Sequence, residues 1–251
     1  MYRDLQISGI MTEEDGRAKG NFLAFLLANN LLRCYEEGDL RYVRFNLSMD
    51  DIAQLSWDMI DMLVALKDWK IKVPTEWPAK LGGSVDGTHA ATNEPRNPNV
   101  RRHPKNFSYK HNIAGLNYLI VLSLWTQAIW YASAGDPAST HDMTAIQKEF
   151  VDMVPDGCRV VGDSAFGGKT EAEKQIFSVE NTLDCEEVKE LKARAKSRHE
   201  SINSRLKVYK CLRMKGRHGV DKHKKCFAAC VVLIQYAIED PSPAGESLFE
   251  I

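Results

Sequence analysis

Two short apolar segments, each followed closely by an aspartate, limit the possible folds of this chain more than any other feature. Residues 84–85 lead into Asp86, and residues 158–161 lead through Gly162 into Asp163. Short apolar runs of this kind predict buried strands. An acid at the end of such a strand lies at the rim of the sheet, where open α/β sheets place their ligand crevices. The alternative is that each acid only caps a turn or a following helix.

The first seventy residues have the apolar spacing of helices. Leucines and phenylalanines between residues 22 and 32 predict one helix, and residues 49–67 predict a second one with Ser48 as its N-cap. Residues 72–83 are rich in Pro and Gly and predict a linker. We therefore expect a helical N-terminal region over residues 1–75 and a second domain over residues 76–251.

The pattern changes from helical to mixed after the linker. Strands are predicted at 84–86 and 158–161, and an antiparallel pair is predicted at 112–124 and 128–134. Helices are predicted at 143–151, 184–210 and 220–239. This order predicts an α/β fold with a mixed sheet flanked by helices.

A third acid, Glu200, lies in the segment RHESINSRLK of the predicted helix. Helical spacing puts it on a polar stripe with Lys196, Asn203 and Lys207, next to an apolar face. An ordinary ion pair within the helix is the alternative. Two strand-end aspartates and a glutamate on a basic helix can supply oxygen ligands to two Mg²⁺ or Mn²⁺ ions. Such a pair of ions serves phosphodiester hydrolysis by activating the attacking oxygen and neutralising the leaving one.

Charge is distributed unevenly along the chain. The net charge is −1, yet residues 189–225 carry fourteen Lys or Arg and three acids, a local balance of +11 against −12 for the remainder. This asymmetry predicts a face that binds a polyanion, and a solvated helix surface is the alternative. The predicted phosphate contacts are Arg96, Arg101, Arg102 and Lys105 in a Pro/Asn loop, and Lys196, Arg198, Arg205, Lys207 and Lys210 in the basic stretch.

Targeting and membrane signals are missing from the sequence pattern. The first fifteen residues have mixed charge and lack the apolar core of a signal peptide. The longest apolar run, residues 226–238, is shorter than the roughly 20 residues that a membrane helix needs. Six cysteines without a paired pattern suit a reducing compartment. We therefore expect an intracellular protein with no membrane partner.

Five ordered motifs resemble the DDE superfamily endonucleases, and in particular the transposases of PIF/Harbinger type. They are VDGTH at 85–89, SYKHNIAGLNY at 108–118, the pair His141-Asp142, GDS at 162–164 and RHESINSRLK at 198–207. The resemblance runs from about Gly83 to the C-terminus.

The resemblance to this family carries specific expectations. It implies a ribonuclease-H-like fold in which Asp86, Asp163 and Glu200 are the catalytic, metal-binding triad for two Mg²⁺ or Mn²⁺ ions. It also implies metal-dependent DNA cleavage and strand transfer at transposon ends, and a nuclear location. A separate Myb-like DNA-binding partner and a homo-oligomer are compatible with it.

Three further residues are candidates to support the metal ligands. For Asp142 the favoured prediction is the N-cap of the helix beginning at Met143, and a role beside the metals is the alternative. His141 is a weaker candidate for such a role. His89 either orients Asp86 or is a satisfied polar residue at the sheet edge.

Other functions and sites compete with this hypothesis. A domesticated descendant would bind DNA or protein without cutting. A phosphohydrolase of the haloacid dehalogenase type has motifs similar to SVDGT and VVGDS, but it needs a nucleophilic Asp where this chain has Ser84. His218, His223, Cys226 and Cys230 could form a zinc site, although cysteines in an apolar helix are more commonly buried structural residues.

Overall fold

The structure is a computed structural model that describes residues 1, 4–5, 9–10, 22–93, 107–108, 112–163, 166–167, 177–178 and 184–239. Its contacts divide the chain into two units. The helical unit comprises Met1–Lys70 and Arg205–Ile251, and the sheet unit comprises Ile71–Ser204. The assignment of residues 1–75 and 76–251 to separate domains stays a prediction, since grouping by contacts does not test independent folding.

The helical unit contains the three predicted apolar helices, together with shorter helices that were not predicted. Its elements are α1 (Phe22–Cys34), α2 (Gly38–Phe45), α3 (Met49–Ala65) and α4 (Lys67–Lys70) and, near the other end of the chain, α7 (Lys210–Arg213) and α8 (Val220–Glu239). The predicted helices are α1, α3 and α8. Ser48 is the N-cap of α3, because its side chain accepts a hydrogen bond from the Asp51 amide at 3.1 Å. The predicted cap is therefore confirmed. No helix in the described part of the chain is long and apolar enough to cross a membrane.

The sheet unit contains a mixed sheet centred on one long strand. Its elements are β1 (Leu81–Ala91), β2 (Phe107–Ser108), β3 (Ile113–Ser123), β4 (Ile129–Ala132), β5 (Asp136–Pro137), α5 (Asp142–Glu149), a 3₁₀ turn (Val151–Met153), β6 (Arg159–Val161) and β7 (Phe177–Ser178). Helix α6 (Glu186–Val208) follows and continues past Ser204, where the helical unit resumes.

The order of the described strands is β2-β3-β1-β6-β7, and β4 and β5 also pair with β3. β1 is antiparallel to β3 and parallel to β6, which is in turn parallel to β7. The predicted α/β fold with a mixed sheet is therefore confirmed, as is the antiparallel pair, which is β3 with β4.

β1 is longer than the predicted strand at 84–86. It continues to Ala91 because β3 pairs with it over its whole length, from Gly83 opposite Ser123 to Ala91 opposite Gly115. Asp86 consequently lies inside β1, and its predicted place at the end of that strand is wrong. The continuation DGTHAA has little β-propensity, so its extended conformation depends on the neighbouring strand.

The core of the sheet unit packs one face of β1 and β3 against α5 and the aromatic residues that follow it. Val85, Leu119 and Val121 are buried there together with Ile146 and Phe150. Alternation along β1 therefore puts Val85 into this core and leaves Ser84 and Asp86 on the opposite face.

Two glycines of the sheet unit provide a test of this packing. Gly135 and Gly157 both have positive φ, +90° and +74°. A Cβ at Gly135 would lie 2.4 Å from the ring of the fully buried Tyr118, whereas a Cβ at Gly157 would meet nothing within 4 Å. We expect Gly157→Ala to lower the free energy of unfolding by about 1–2 kcal/mol through backbone strain alone. Gly135→Ala should lower the free energy of unfolding by roughly a further 1–3 kcal/mol, because of the steric clash.

Urea unfolding of both variants and the wild type measures the difference between the two losses. Equal losses would contradict the close packing of Tyr118 against Gly135.

Candidate active site

The register between β1 and β6 brings Asp86 and Asp163 together. The two strands pair in parallel up to Ser84 opposite Val161. Each aspartate lies two residues further along its own strand direction, and neighbouring strands are about 4.8 Å apart. β6 ends at Val161, so β1 has lost this parallel partner where Asp86 occurs. The two carboxyl groups therefore lie on one cavity, close enough for the charge of Asp163 to act on Asp86, although Asp86 is inside its strand.

All three predicted acids line one cavity of about 410 Å³. Asp86 contributes from β1, Asp163 from the residues after β6, and Glu200 from α6. Glu200 is exposed at the cavity, as is Lys196 on the same helix. Residues far apart in the sequence are thus collected at one opening of the sheet unit.

Both carboxylate oxygens of Asp86 accept hydrogen bonds. Oδ1 accepts from the Gly87 amide at 2.8 Å, and Oδ2 accepts from Nδ2 of Asn203 at 3.1 Å. Burial raises the pKa of Asp86, and the charges of Asp163 and Asp142 raise it further, while the two hydrogen bonds oppose this rise. The site therefore concentrates negative charge around Asp86.

Helix α6 is attached to β1 at two successive points. His199 Nε2 and Ser84 Oγ form a hydrogen bond of 2.9 Å, and Asn203 bonds Asp86. His199 and Asn203 are one helical turn apart, and Ser84 and Asp86 are two residues apart on one face of the strand. Because His199 is buried against the strand, its neighbour Glu200 is directed to the cavity.

Sequence reasoning missed His199 and Lys192. Both are buried on α6, where Lys192 forms an ion pair of 2.7 Å with Asp184. They lie on the same helical face as the buried Ala195 and Ile202. The sequence signal for their burial was therefore a polar residue at a position where the helical spacing predicts an apolar one. Ser84, the position at which a haloacid dehalogenase needs its nucleophile, is engaged by His199.

His141, not Asp142, is the N-cap of α5. Its Nδ1 accepts a hydrogen bond from the Met143 amide at 3.3 Å, and Asp142 is the first helical residue. The favoured prediction for Asp142 is therefore wrong, because the cap must precede the first helical residue. Its carboxylate lies 3.5 Å from where a Cβ on Gly87 would be, next to Asp86.

His89 does not occupy the position that would let it orient Asp86. Strand alternation puts its side chain on the face opposite Asp86. There its Nδ1 is 3.0 Å from Oδ1 of Asn117, the residue paired with it on β3. In the described structure His89 therefore contacts Asn117 of β3 and not Asp86.

The predicted DNA-contacting residues have different surroundings. Arg198 donates hydrogen bonds to the carbonyls of Ser123 and Thr126 at 2.5 and 2.6 Å, which ties α6 to the β3–β4 turn and argues against a phosphate contact. Lys196 alone among them lines the described cavity. The remaining predicted contacts are either in the helical unit (Arg205, Lys207 and Lys210) or outside the described residues (Arg96, Arg101, Arg102 and Lys105).

The donor chemistry of the cavity suits a hard divalent cation, since three carboxylates face it. Within the described ranges, however, no three His, Cys, Asp or Glu residues lie close enough together to hold one metal ion. The same holds for the histidines and cysteines considered for zinc. Cys226 and Cys230 are buried in α8, and Cys230 Sγ is 3.9 Å from Cys211 Sγ.

The structure contains a mixed sheet in which two aspartates follow the end of the parallel pairing, and a helix brings a glutamate to the same cavity. This arrangement is that of an α/β protein with ribonuclease-H-like architecture. The family model described as DDE superfamily endonuclease matches residues 85–235, more than half of the chain. The chain belongs to this family of DDE superfamily endonucleases. No curated protein and no solved structure matches it.

The buried His199 makes stability depend on pH. Burial lowers the pKa of His199 from 6.5 to about 4, the charge of Arg198 lowers it too, and the Ser84 hydrogen bond partly offsets both. In the unfolded chain this histidine takes up a proton near pH 6.5, but in the folded protein only near pH 4. The contribution of His199 to the free energy of unfolding is therefore complete above pH 6.5. As the pH falls from 6.5 to about 4, this contribution decreases by up to about 3 kcal/mol.

The measurement is urea unfolding in metal-free buffer between pH 7 and pH 4.5, for the wild type and His199→Gln. We expect the variant to have a shallower loss of stability, because it lacks this titrating group. Other histidines, including His223, are common to both proteins and cancel in the comparison. Parallel pH profiles would show that His199 is not buried in its neutral form.

Proposed function

We propose that the protein is a metal-dependent DNA endonuclease of transposase type, within the PIF/Harbinger group. Asp86, Asp163 and Glu200 would be its metal ligands. The observation that carries this proposal is the convergence of the three acids on one cavity, although they are distant in the sequence. Family membership supplies independent support for an endonuclease, and DDE endonucleases usually use divalent metals.

The negative charge around Asp86 supports binding of a cation. Burial raises the pKa of Asp86, and the neighbouring carboxylates of Asp163 and Asp142 raise it further. The protein therefore keeps like charges close together in a partly buried place. A divalent ion would offset this repulsion. When bound, two Mg²⁺ or Mn²⁺ ions would activate the attacking oxygen and neutralise the leaving oxygen of a phosphodiester.

The chain's own residues would hold the ligands and the substrate in place. The Gly87 amide and the Asn203 side chain orient the two oxygens of Asp86, and the His199–Ser84 bond holds Glu200 at the cavity. Lys196, exposed beside Glu200, would contact a phosphate of the DNA backbone. Water would be the nucleophile for cleavage and a 3′ hydroxyl for joining, so one site would serve both reactions.

The finer biological proposals depend on this activity. The substrates would be transposon ends and a target DNA, reached in the nucleus. The uneven charge of the chain suits a polyanionic partner. A separate Myb-like protein would supply sequence-specific DNA binding, and a homo-oligomer would hold two ends together.

A domesticated descendant that binds DNA or protein without cutting is the second candidate. One observation favours it: in the part of the chain that the structure describes, the metal-ligating residues are not gathered closely enough to share one ion. Loss of activity with retention of the fold would produce such an arrangement.

Nicking of supercoiled plasmid DNA in the presence of Mg²⁺ or Mn²⁺ tests the proposed activity. We expect Asp163→Asn and Glu200→Gln to reduce the rate at least about 100-fold, because each removes an oxygen ligand worth several kcal/mol in the transition state. Glu190→Gln is the matched control, since Glu190 is an exposed acid on the same helix and does not line the cavity. Equal, negligible rates in the wild type and Asp163→Asn would favour the non-cutting candidate.

The hydrogen bond from Asn203 to Asp86 makes a separate prediction. Removing such a supporting partner typically costs 10–100-fold in metal affinity or activity, by order of magnitude. We expect Asn203→Ala to raise the metal concentration needed for half-maximal nicking by about that factor, whereas Ser204→Ala, at an exposed neighbouring position, should not. Electron paramagnetic resonance of free Mn²⁺ measures the affinity without relying on turnover. Unchanged Mn²⁺ affinity in Asn203→Ala would refute the positioning role.

A further inference from the structure

We propose that a cavity in the helical unit binds a carboxylate carried by an apolar segment of a partner protein. The cavity measures about 440 Å³, and Arg41, Met49, Trp57, Arg217 and His218 are among the residues that line it. It lies wholly within the helical unit, so this proposal does not depend on the nuclease function.

The strongest indication is a buried guanidinium group that forms no ion pair with any described residue. Arg41 on α2 is only 5% exposed, yet among the described residues it forms no ion pair. Nε donates to Asn30 Oδ1 at 3.1 Å, and Nη2 donates to the Leu27 carbonyl at 2.8 Å and to Ser56 Oγ at 2.7 Å. These acceptors are neutral, and they use three of the five N–H groups of the guanidinium.

The Nη1 group of Arg41 is therefore left for an external acceptor. It has no hydrogen-bond partner within the described ranges. The nearby acid Glu36 forms no ion pair with Arg41 in the described structure, and its two oxygens are bonded to Arg44 at 2.8 Å and to Asn30 at 3.2 Å. Burial lowers the pKa of Arg41, and the charge of Glu36 only partly offsets this. A buried charge is costly unless it is paired, so a carboxylate entering the cavity would complete the site.

Two further basic side chains, Arg217 and His218, line the same cavity as Arg41. Arg217 is held against the Tyr35 ring, 4.3 Å from its centroid, and donates to the Tyr35 and Glu36 carbonyls. His218 packs edge-on against Trp57, and its buried Nε2 has no hydrogen-bond partner in the described structure. Glu37, the other acid at the cavity, is exposed and 3.5 Å from Arg217.

The apolar surroundings favour a protein partner over a nucleic acid. Met49 lines the cavity and is 53% exposed, and Trp57 forms part of the wall. Helix α2, which carries Arg41, also exposes Leu40 and Val43. A phosphate-binding surface would instead present exposed, unpaired lysines and arginines. Apolar side chains around a buried arginine are the composition of a protein interface.

Met49 provides a way to test the cavity without disturbing Arg41. It is the first residue of α3 and takes no part in the hydrogen bonds of Arg41, whereas replacing Arg41 itself would break three bonds between helices. Met49→Glu puts a negative charge at the cavity, and Met49→Lys puts a positive charge at the same place. The pair separates charge from side-chain size.

The experiment selects binders from a phage-displayed library of random twelve-residue peptides on the full-length wild type and on Met49→Glu. We expect the wild type to enrich peptides that combine Asp or Glu with large apolar residues. For a synthetic copy of the most enriched peptide, Met49→Glu should weaken binding at least about tenfold, and Met49→Lys should not weaken it. Replacing the acid of that peptide by its amide should cause a similar loss.

Several outcomes would overturn the proposal. In the selection, these outcomes are no enrichment beyond that seen on Met49→Glu, or enrichment of basic peptides. In the binding measurements, they are equal effects of the two substitutions, or displacement of the peptide by a random DNA duplex or by inorganic phosphate. Plasmid nicking by Met49→Glu should remain at the wild-type rate. A failure of the nuclease proposal would leave the peptide result intact, so the two proposals fail separately.

Discussion

The end of the parallel pairing between β1 and β6 is the constraint on which the candidate site depends. Pairing stops at Ser84 opposite Val161, where β6 ends, while β1 continues along β3. The two aspartates follow at equal distances from this last pair. Their proximity is thus a consequence of strand register, and a shift by one residue would move Asp86 to the other face of the sheet.

Helix α6 completes the site because its polar contacts with the sheet are directional and mostly buried or partly buried. The His199–Ser84 and Asn203–Asp86 bonds attach one helical face to one strand face, and Arg198 ties the helix to the β3–β4 turn. A buried polar group that loses its partner is costly, so these contacts specify where the helix sits along the strand better than apolar packing does. Glu200 reaches the cavity as a result.

Hydrogen bonds of a buried polar side chain also connect the elements of the helical unit. Arg41 joins α1, α2 and α3 through three neutral acceptors and is buried without an ion pair to any described residue. The structure thus keeps the buried Arg41 at a partly apolar cavity and a concentration of negative charge around Asp86. The first suits recognition of an acidic partner, and the second suits a cation.

The sequence by itself determined the long helices, the antiparallel β3–β4 pair and the Ser48 cap, because apolar periodicity and capping residues act locally. It also singled out three acids that line one cavity. Only the tertiary structure decided that β1 runs beyond Asp86, since the weak strand former DGTHAA is held extended by β3. It also decided that His141 caps α5, that His89 faces away from Asp86, and that Arg41 and His199 are buried. Burial and strand pairing join residues distant in the chain, and no local pattern contains that information.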